Sequence, residues 1–237
     1  MKKTHNKKTT THKKTDIHKP SQKNQQQWLI NTVAVVLLVI FIGIFLYMAR
    51  SPNQQPSISM QQAGEALRDI EYQFKNASPL VQGVILEFSD YECPVCQRAY
   101  PHIQQMKQQY GQTYPVVTMH FPLPHNPNAY HAAAAAVCAQ QQGLFEEYHA
   151  HIFANVHNLQ QQALRQYAIA VGLDVDLFDA CIESGAGASQ VQADMQLGQS
   201  LGVRGTPSFV LIKNGQVRFI EGFRSVSAII AEFDEMP

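Results

Sequence analysis

The feature that most restricts how this chain can fold is a pair of cysteines, Cys93-Pro94-Val95-Cys96, set where a β-type run gives way to a helical one. Val84-Ile85-Leu86-Glu87-Phe88 is apolar and β-prone, and it ends in Ser89-Asp90. Cys93 to about Tyr110 then reads as a helix, with Pro94 in the first turn, where a missing N–H costs nothing. Cys93 therefore stands at a helix N-terminus, where free backbone N–H groups and the positive end of the dipole favour thiolate over thiol. Cys96, three residues on, shares that helix face and is near enough to close a small disulfide ring. In this reading Cys93 is the attacking sulfur and Cys96 resolves the mixed disulfide from a deeper position. A lone C-x-x-C is also half of a zinc site. The other cysteines, Cys138 and Cys181, are single and widely spaced, and no second C-x-x-C follows, so redox chemistry is favoured.

The rest of the body has a definite order. Tyr114 to Phe121 is again β-type, closed by Pro122 and Pro124. From about 126 to 201 the pattern is helical: an Ala run at 132–136, then Leu144 to Phe153, then Leu159 to Ala170. Asp174 is placed to cap a further helix ending near Glu183. β-type segments return at Ser208–Ile212 and Val217–Glu221, and Asn214-Gly215 between them is a strong hairpin signal. Ser225 to Phe233 reads as a last helix. The sum is β-α-β, a helical block, then β-β-α. Thr206-Pro207 opens the third strand after Gly202-Val203-Arg204-Gly205, although Pro has no N–H for a ladder. Either it is a trans Pro at a strand start, or a cis-Pro loop facing the two sulfurs, where the Thr206 backbone pairs with an extended substrate. The upstream cysteine pair favours cis.

A net charge of zero conceals two opposed halves. Residues 1–27 hold eight Lys and one acid, Asp16, for +7; the remaining ten Lys/Arg and seventeen Asp/Glu give −7. With almost no apolar residues, this tail is expected to be disordered. Nucleic-acid or metal binding through His5, His12 and His18 is the alternative to a solvated topogenic tail; the tail reading is favoured, with no nucleic-acid partner expected. Trp28 to Ala49 is uncharged and largely apolar, long enough at about 1.5 Å per residue to cross a hydrocarbon core. Its length, and the absence of a small residue three before the end of Tyr47-Met48-Ala49, favour an uncleaved anchor over a signal peptide. The lysine bias puts the N-terminus in the cytoplasm and the body outside. The expected organisation is a tail (1–27), a transmembrane signal-anchor helix (28–49), a stalk and short helix (50–77) and a catalytic domain (78–237).

Glu87-Phe88-Ser89-Asp90-Tyr91-Glu92-Cys93-Pro94-Val95-Cys96, taken with Gly205-Thr206-Pro207-Ser208-Phe209, closely resembles DsbA-like proteins, and among them the membrane-tethered BdbD-like group. The resemblance covers about residues 78–235. It implies an α/β thioredoxin fold with a helical insertion, behind one transmembrane helix. It also implies a dithiol oxidase acting on exported cysteine-containing proteins from a bacterial cytoplasmic membrane, reoxidised by a membrane quinone-linked, DsbB-like partner. No organic cofactor and no metal is expected. Glu87, six before Cys93, matches the place where the family often has a buried acid assisting proton transfer near the resolving sulfur; the alternative is a solvated strand-end carboxylate. Glu92 either opposes the Cys93 thiolate by like charge or points into solvent. In an oxidising compartment Cys138 and Cys181 suggest a structural disulfide, worth about 4 kcal/mol for a loop of about 43 residues, against two buried free thiols. His149 and His151, two apart, do not share a helix face and are read as packing or surface. The rival functions are a reductase or isomerase in the same compartment and a tethered, non-enzymatic metal-binding domain.

Overall fold

The computed structural model describes residues 58–237. The expected tail, the 28–49 anchor and most of the stalk lie outside the described residues. Among the described residues no helix is long and apolar enough to cross a membrane.

Four strands form one sheet: β1 (Val84–Ser89), β2 (Val116–His120), β3 (Ser208–Lys213) and β4 (Gln216–Glu221), in the order β2-β1-β3-β4. β1 pairs parallel to β2, with Glu87 beside Thr118, and antiparallel to β3, with Glu87 beside Phe209. A parallel β1–β2 pair needs a crossover, supplied by helix α2 (Pro94–Tyr110). β1 is buried at every position and β3 at all but Lys213, as their unbroken apolar runs require of central strands covered on both faces. β4 alternates exposed and half-buried residues, as an edge strand does. Asn214, at φ 52°, and Gly215, at φ 75°, close the β3–β4 hairpin in the left-handed region that this dipeptide tolerates.

The two sheet faces bury different helices. Ile85, Phe209 and Leu211 pack with Ala99, Ile103 and Met106 of α2 and with Ile229 and Phe233 of the last helix, α8 (Val226–Asp234). Val84, Leu86, Phe88, Val210 and Ile212 pack instead with Ala63 and Leu67 of α1 (Met60–Ala77) and with Leu197 of α7 (Ala186–Ser200). Each such fully buried side chain contributes about 1.5–3 kcal/mol by leaving water. α1 starts on a capping box between Ser59 and Gln62 and runs 18 residues. Its buried Glu71 accepts from the backbone N–H groups of Asn214 (2.6 Å) and Gly215 (2.8 Å), fastening the helix to the β3–β4 turn.

Between β2 and β3 lies the insertion: α3 (Ala129–Gln141), α4 (Phe145–Ala154), α5 (Gln161–Ala170), α6 (Val175–Ser184) and α7. It has its own core, in which the Ala run of α3 surrounds Tyr148, Ile152 and Val191. The small residues allow close approach: a Cβ on Gly187 of α7 would collide with the Ala134 backbone of α3. Cys138 of α3 and Cys181 of α6 are joined by a disulfide, and Asp174 caps α6 through Leu177 N–H.

Candidate active site

Cys93 is the N-cap residue of α2, with extended backbone (φ −73°, ψ 119°), and Pro94 occupies the first helical position. Its carbonyl accepts the first helical hydrogen bond, from Gln97 N–H at 3.1 Å. Cys93 and Cys96 are both free thiols. Both are buried, Cys93 at 5% exposure and Cys96 at 1%, so Cys93 is the nearer of the two to solvent.

The second element of the site arrives from the far side of the insertion. The Thr206–Pro207 bond is cis, and the Cys93 thiol donates to the Thr206 carbonyl at 3.2 Å. Pro207 lacks an N–H, but its carbonyl is taken by Gly222 N–H at 2.9 Å, which anchors the loop to the end of β4. Thr206 Oγ1 is buried and makes no hydrogen bond of ordinary geometry to the thiol, but it is near enough to Cys93 to favour the thiolate once that forms.

These surroundings separate the two sulfurs. The neighbouring Cys96 thiol, the Thr206 side chain and the backbone N–H groups of Cys96 and Val95 outweigh burial and bring the Cys93 thiol down to about 5. Burial, and the charge developing on Cys93, push Cys96 up instead. At neutral pH the arrangement holds Cys93 as a thiolate, which gives up its donation to the Thr206 carbonyl, and Cys96 as a more deeply buried thiol.

Glu87 lies on β1, on the face covered by α2, and is buried rather than solvated. Burial raises its carboxyl to about 7, a shift opposed by the Lys107 charge and the neighbouring Ser89 hydroxyl. Its Oε2 has no hydrogen-bond partner. A carboxyl in this condition exchanges its proton near neutrality.

Neither reading of Glu92 holds. Its carboxylate accepts from Asn128 N–H (2.7 Å), Ala129 N–H (2.9 Å) and Asn128 Nδ2 (3.0 Å), so it caps α3 from outside that helix. Asp90 is used in the same way: its carboxylate accepts from Glu92 N–H, Leu123 N–H and Asn126 Nδ2, each at 2.7 Å. Sequence reasoning missed both. The available signal was the start of α3, which offers no acid in its first turn and no side-chain cap of its own.

Among the described residues no group of three or more His, Cys, Asp or Glu stands together as a metal set. A cavity of about 600 Å³ opens beside β2, bordered by Thr118, His120, Gln190 and Asp194, but neither redox cysteine nor Thr206 borders it.

Residues 84–231 match the family model of the DSBA-like thioredoxin domain. A thioredoxin-like oxidoreductase from Silicibacter pomeroyi DSS-3 is 28% identical and superimposes with a TM-score of 0.58, covering 66% of this chain and 87% of the other. The thiol-disulfide exchange protein α-DsbA2 of Wolbachia pipientis, 16% identical, shares the fold at a TM-score of 0.58 over 74% of this chain and 96% of its own. Among curated proteins, a Na(+)/H(+) antiporter, NhaA 1, of Mycobacterium sp. (strain KMS) is 34% identical over 129 residues, 53% of this chain. The chain spans only 21% of that relative's length.

Proposed function

The chain belongs to the DSBA-like thioredoxin domain family, and from that premise we propose that it is a thiol–disulfide oxidoreductase that introduces disulfides into exported proteins through Cys93 and Cys96. One arrangement carries this reading. Cys93 caps α2 with its thiol on the carbonyl before cis-Pro207, above a Cys96 that is buried and held as a thiol.

The cycle starts from the Cys93–Cys96 disulfide. A substrate thiolate attacks Cys93 Sγ, a mixed disulfide forms, and the Cys93–Cys96 bond breaks with its electron pair on Cys96. Burial disfavours charge there, so the leaving sulfur takes a proton. Glu87, about half protonated at pH 7 and set beneath the same helix, is the group we assign to supply it. A second substrate thiolate then attacks the substrate sulfur of the mixed disulfide and releases Cys93 as thiolate. Two substrate thiols have lost two electrons and two protons: the enzyme pair takes both electrons, one proton ends on Cys96 by way of Glu87, and the other goes to solvent because Cys93 leaves as the thiolate. Thr206, through its backbone, pairs with an extended substrate beside Cys93, and Pro207 holds that loop open.

Reoxidation falls to a membrane quinone-linked partner of the DsbB-like class. Residues 28–49 tether the domain on the outer side of a bacterial cytoplasmic membrane, with residues 1–27 inside; the lysine bias and the uncharged run support this topology. The chemistry needs no cofactor besides the two cysteines. Ion transport is not carried over from the antiporters, since the match spans about a fifth of their length.

The test is oxidative refolding of reduced ribonuclease by the full chain, beside Cys93→Ser. Activity should vanish in the variant; equal activity in both proteins would remove the mechanism.

A further inference from the structure

The turn that delivers Cys93 is bolted down at each of its three residues. Asp90 is held by Leu123 and Asn126, and Glu92 by the start of α3. The third attachment reaches furthest: Tyr91 OH meets His149 Nδ1 of α4 at 2.7 Å, in a fully buried setting. The His149 ring is enclosed by Tyr91, Tyr100, Phe145 and Phe153, at centroid distances of 4.9–5.4 Å. Burial, helped by the nearby charge of Lys107, keeps this histidine neutral, and burial keeps Tyr91 protonated. With both groups neutral, one of the two donates to the other, and a Tyr91 hydroxyl donating to His149 Nδ1 goes with the Nε2–H tautomer.

The consequences run through the backbone. The Tyr91 carbonyl accepts from Gln97 Nε2 of α2 at 3.4 Å, and Cys93 N–H donates to Asp90 O at 3.1 Å. The orientation of Tyr91 is therefore linked to where Cys93 sits against the N–H groups of Val95 and Cys96 and against Thr206. A buried histidine that touches neither sulfur and is enclosed by rings has no need of its polar atoms for packing alone.

We propose that His149 is a positioning residue for the Cys93–Cys96 reaction: its bond to Tyr91 ties the helical insertion to the active-site turn and holds Cys93 Sγ in register with the groups that stabilise its thiolate. This rests on the reading of Cys93–Cys96 as the redox pair. The proposed substrate contacts belong to the cis-Pro207 loop, whereas His149 belongs to α4 of the insertion and acts through Tyr91. By reciprocity, the redox state of the pair biases the packing of α4.

Three variants of the full chain test this, read by thiolate ultraviolet absorbance of Cys93 against pH, with melting temperature alongside. His149→Phe keeps a ring but leaves the Tyr91 hydroxyl buried without a partner. It should move the Cys93 midpoint up by about one pH unit, which is about tenfold less thiolate below the midpoint. His149→Asn places an acceptor oxygen near the former Nδ1 and should return the midpoint toward the parent's. Tyr91→Phe combined with His149→Phe removes both polar groups and strands neither, so it should melt within a few degrees of the parent while keeping the raised midpoint. A double variant titrating at the parent's midpoint, whether it melts like the parent or well below it, overturns the proposal. The oxidase reading fails separately, in the ribonuclease assay on the unsubstituted chain.

Discussion

At the scale of single residues, the site works by giving two identical side chains opposite environments. Cys93 sees the Cys96 thiol, the Thr206 side chain and backbone N–H groups, whereas Cys96 is buried and feels the neighbouring charge. Alkylation of the reduced protein should therefore follow Cys93 alone, with a midpoint near pH 5, and Thr206→Val should raise that midpoint by about one unit. A midpoint unmoved by Thr206→Val would show that the backbone N–H groups suffice. Glu87 makes a prediction of opposite sign. Its carboxyl is raised by burial, so the folded state binds more protons than the unfolded chain between pH 4.5 and about 7. The Glu87 contribution to stability should therefore fall as pH rises through that window. In the disulfide form, where neither Cys93 nor Cys96 titrates, Glu87→Gln should lessen the loss of stability between pH 5 and pH 8 measured by urea unfolding; a pH dependence identical to the parent's would mean that other groups cause it. The cysteines and Thr206-Pro207 were legible in the sequence because their chemistry depends on residue type and on neighbours a few positions away. Glu92 and His149 were not. Their partners lie 36 and 58 residues off, and only the folded chain brings a carboxylate to the start of α3 or a histidine to Tyr91.

At the scale of elements, the order of strands and helices was readable from clear periods and continuous apolar runs except for α7 (Ala186–Ser200), which the helical block 126–201 spans without resolving it as an element. What it concealed was the use made of them. α1 reads as a short lead-in, yet Ala63 and Leu67 fill the sheet face shared with α7, and Glu71 holds the β3–β4 turn. The amphipathic pattern was visible, but its partner surface is assembled from strands at both ends of the domain. The insertion depends on a different device. The Cys138–Cys181 disulfide closes a loop of 43 residues and joins α3 to α6. Replacing both cysteines by Ala should cost about 2–5 kcal/mol in denaturant unfolding. Ribonuclease refolding should persist at temperatures where the variant stays folded. Loss of less than about 1 kcal/mol would show that the core around Tyr148 and Ile152 holds the insertion unaided.

At the scale of the molecule, the sheet and the insertion meet along α7 and again at the turn 90–92 that delivers Cys93, and the redox balance is assigned to that turn. A thiolate held at Cys93 stabilises the reduced form, and the disulfide form has no equivalent group. With Cys93 depressed toward 5, this stabilisation is complete above the ordinary thiol range and is lost as pH falls through about 5. The reduced protein should accordingly be the more stable form at neutral pH, and its disulfide should be a ready oxidant. A reductase built on the same fold would need the reverse balance. The reduction potential of Cys93–Cys96, measured on the full chain by equilibration with glutathione at pH 7, tests this most directly. A value well above thioredoxin's, about −270 mV, is predicted; a value at or below it would contradict the oxidase reading and the thiolate stabilisation on which it stands.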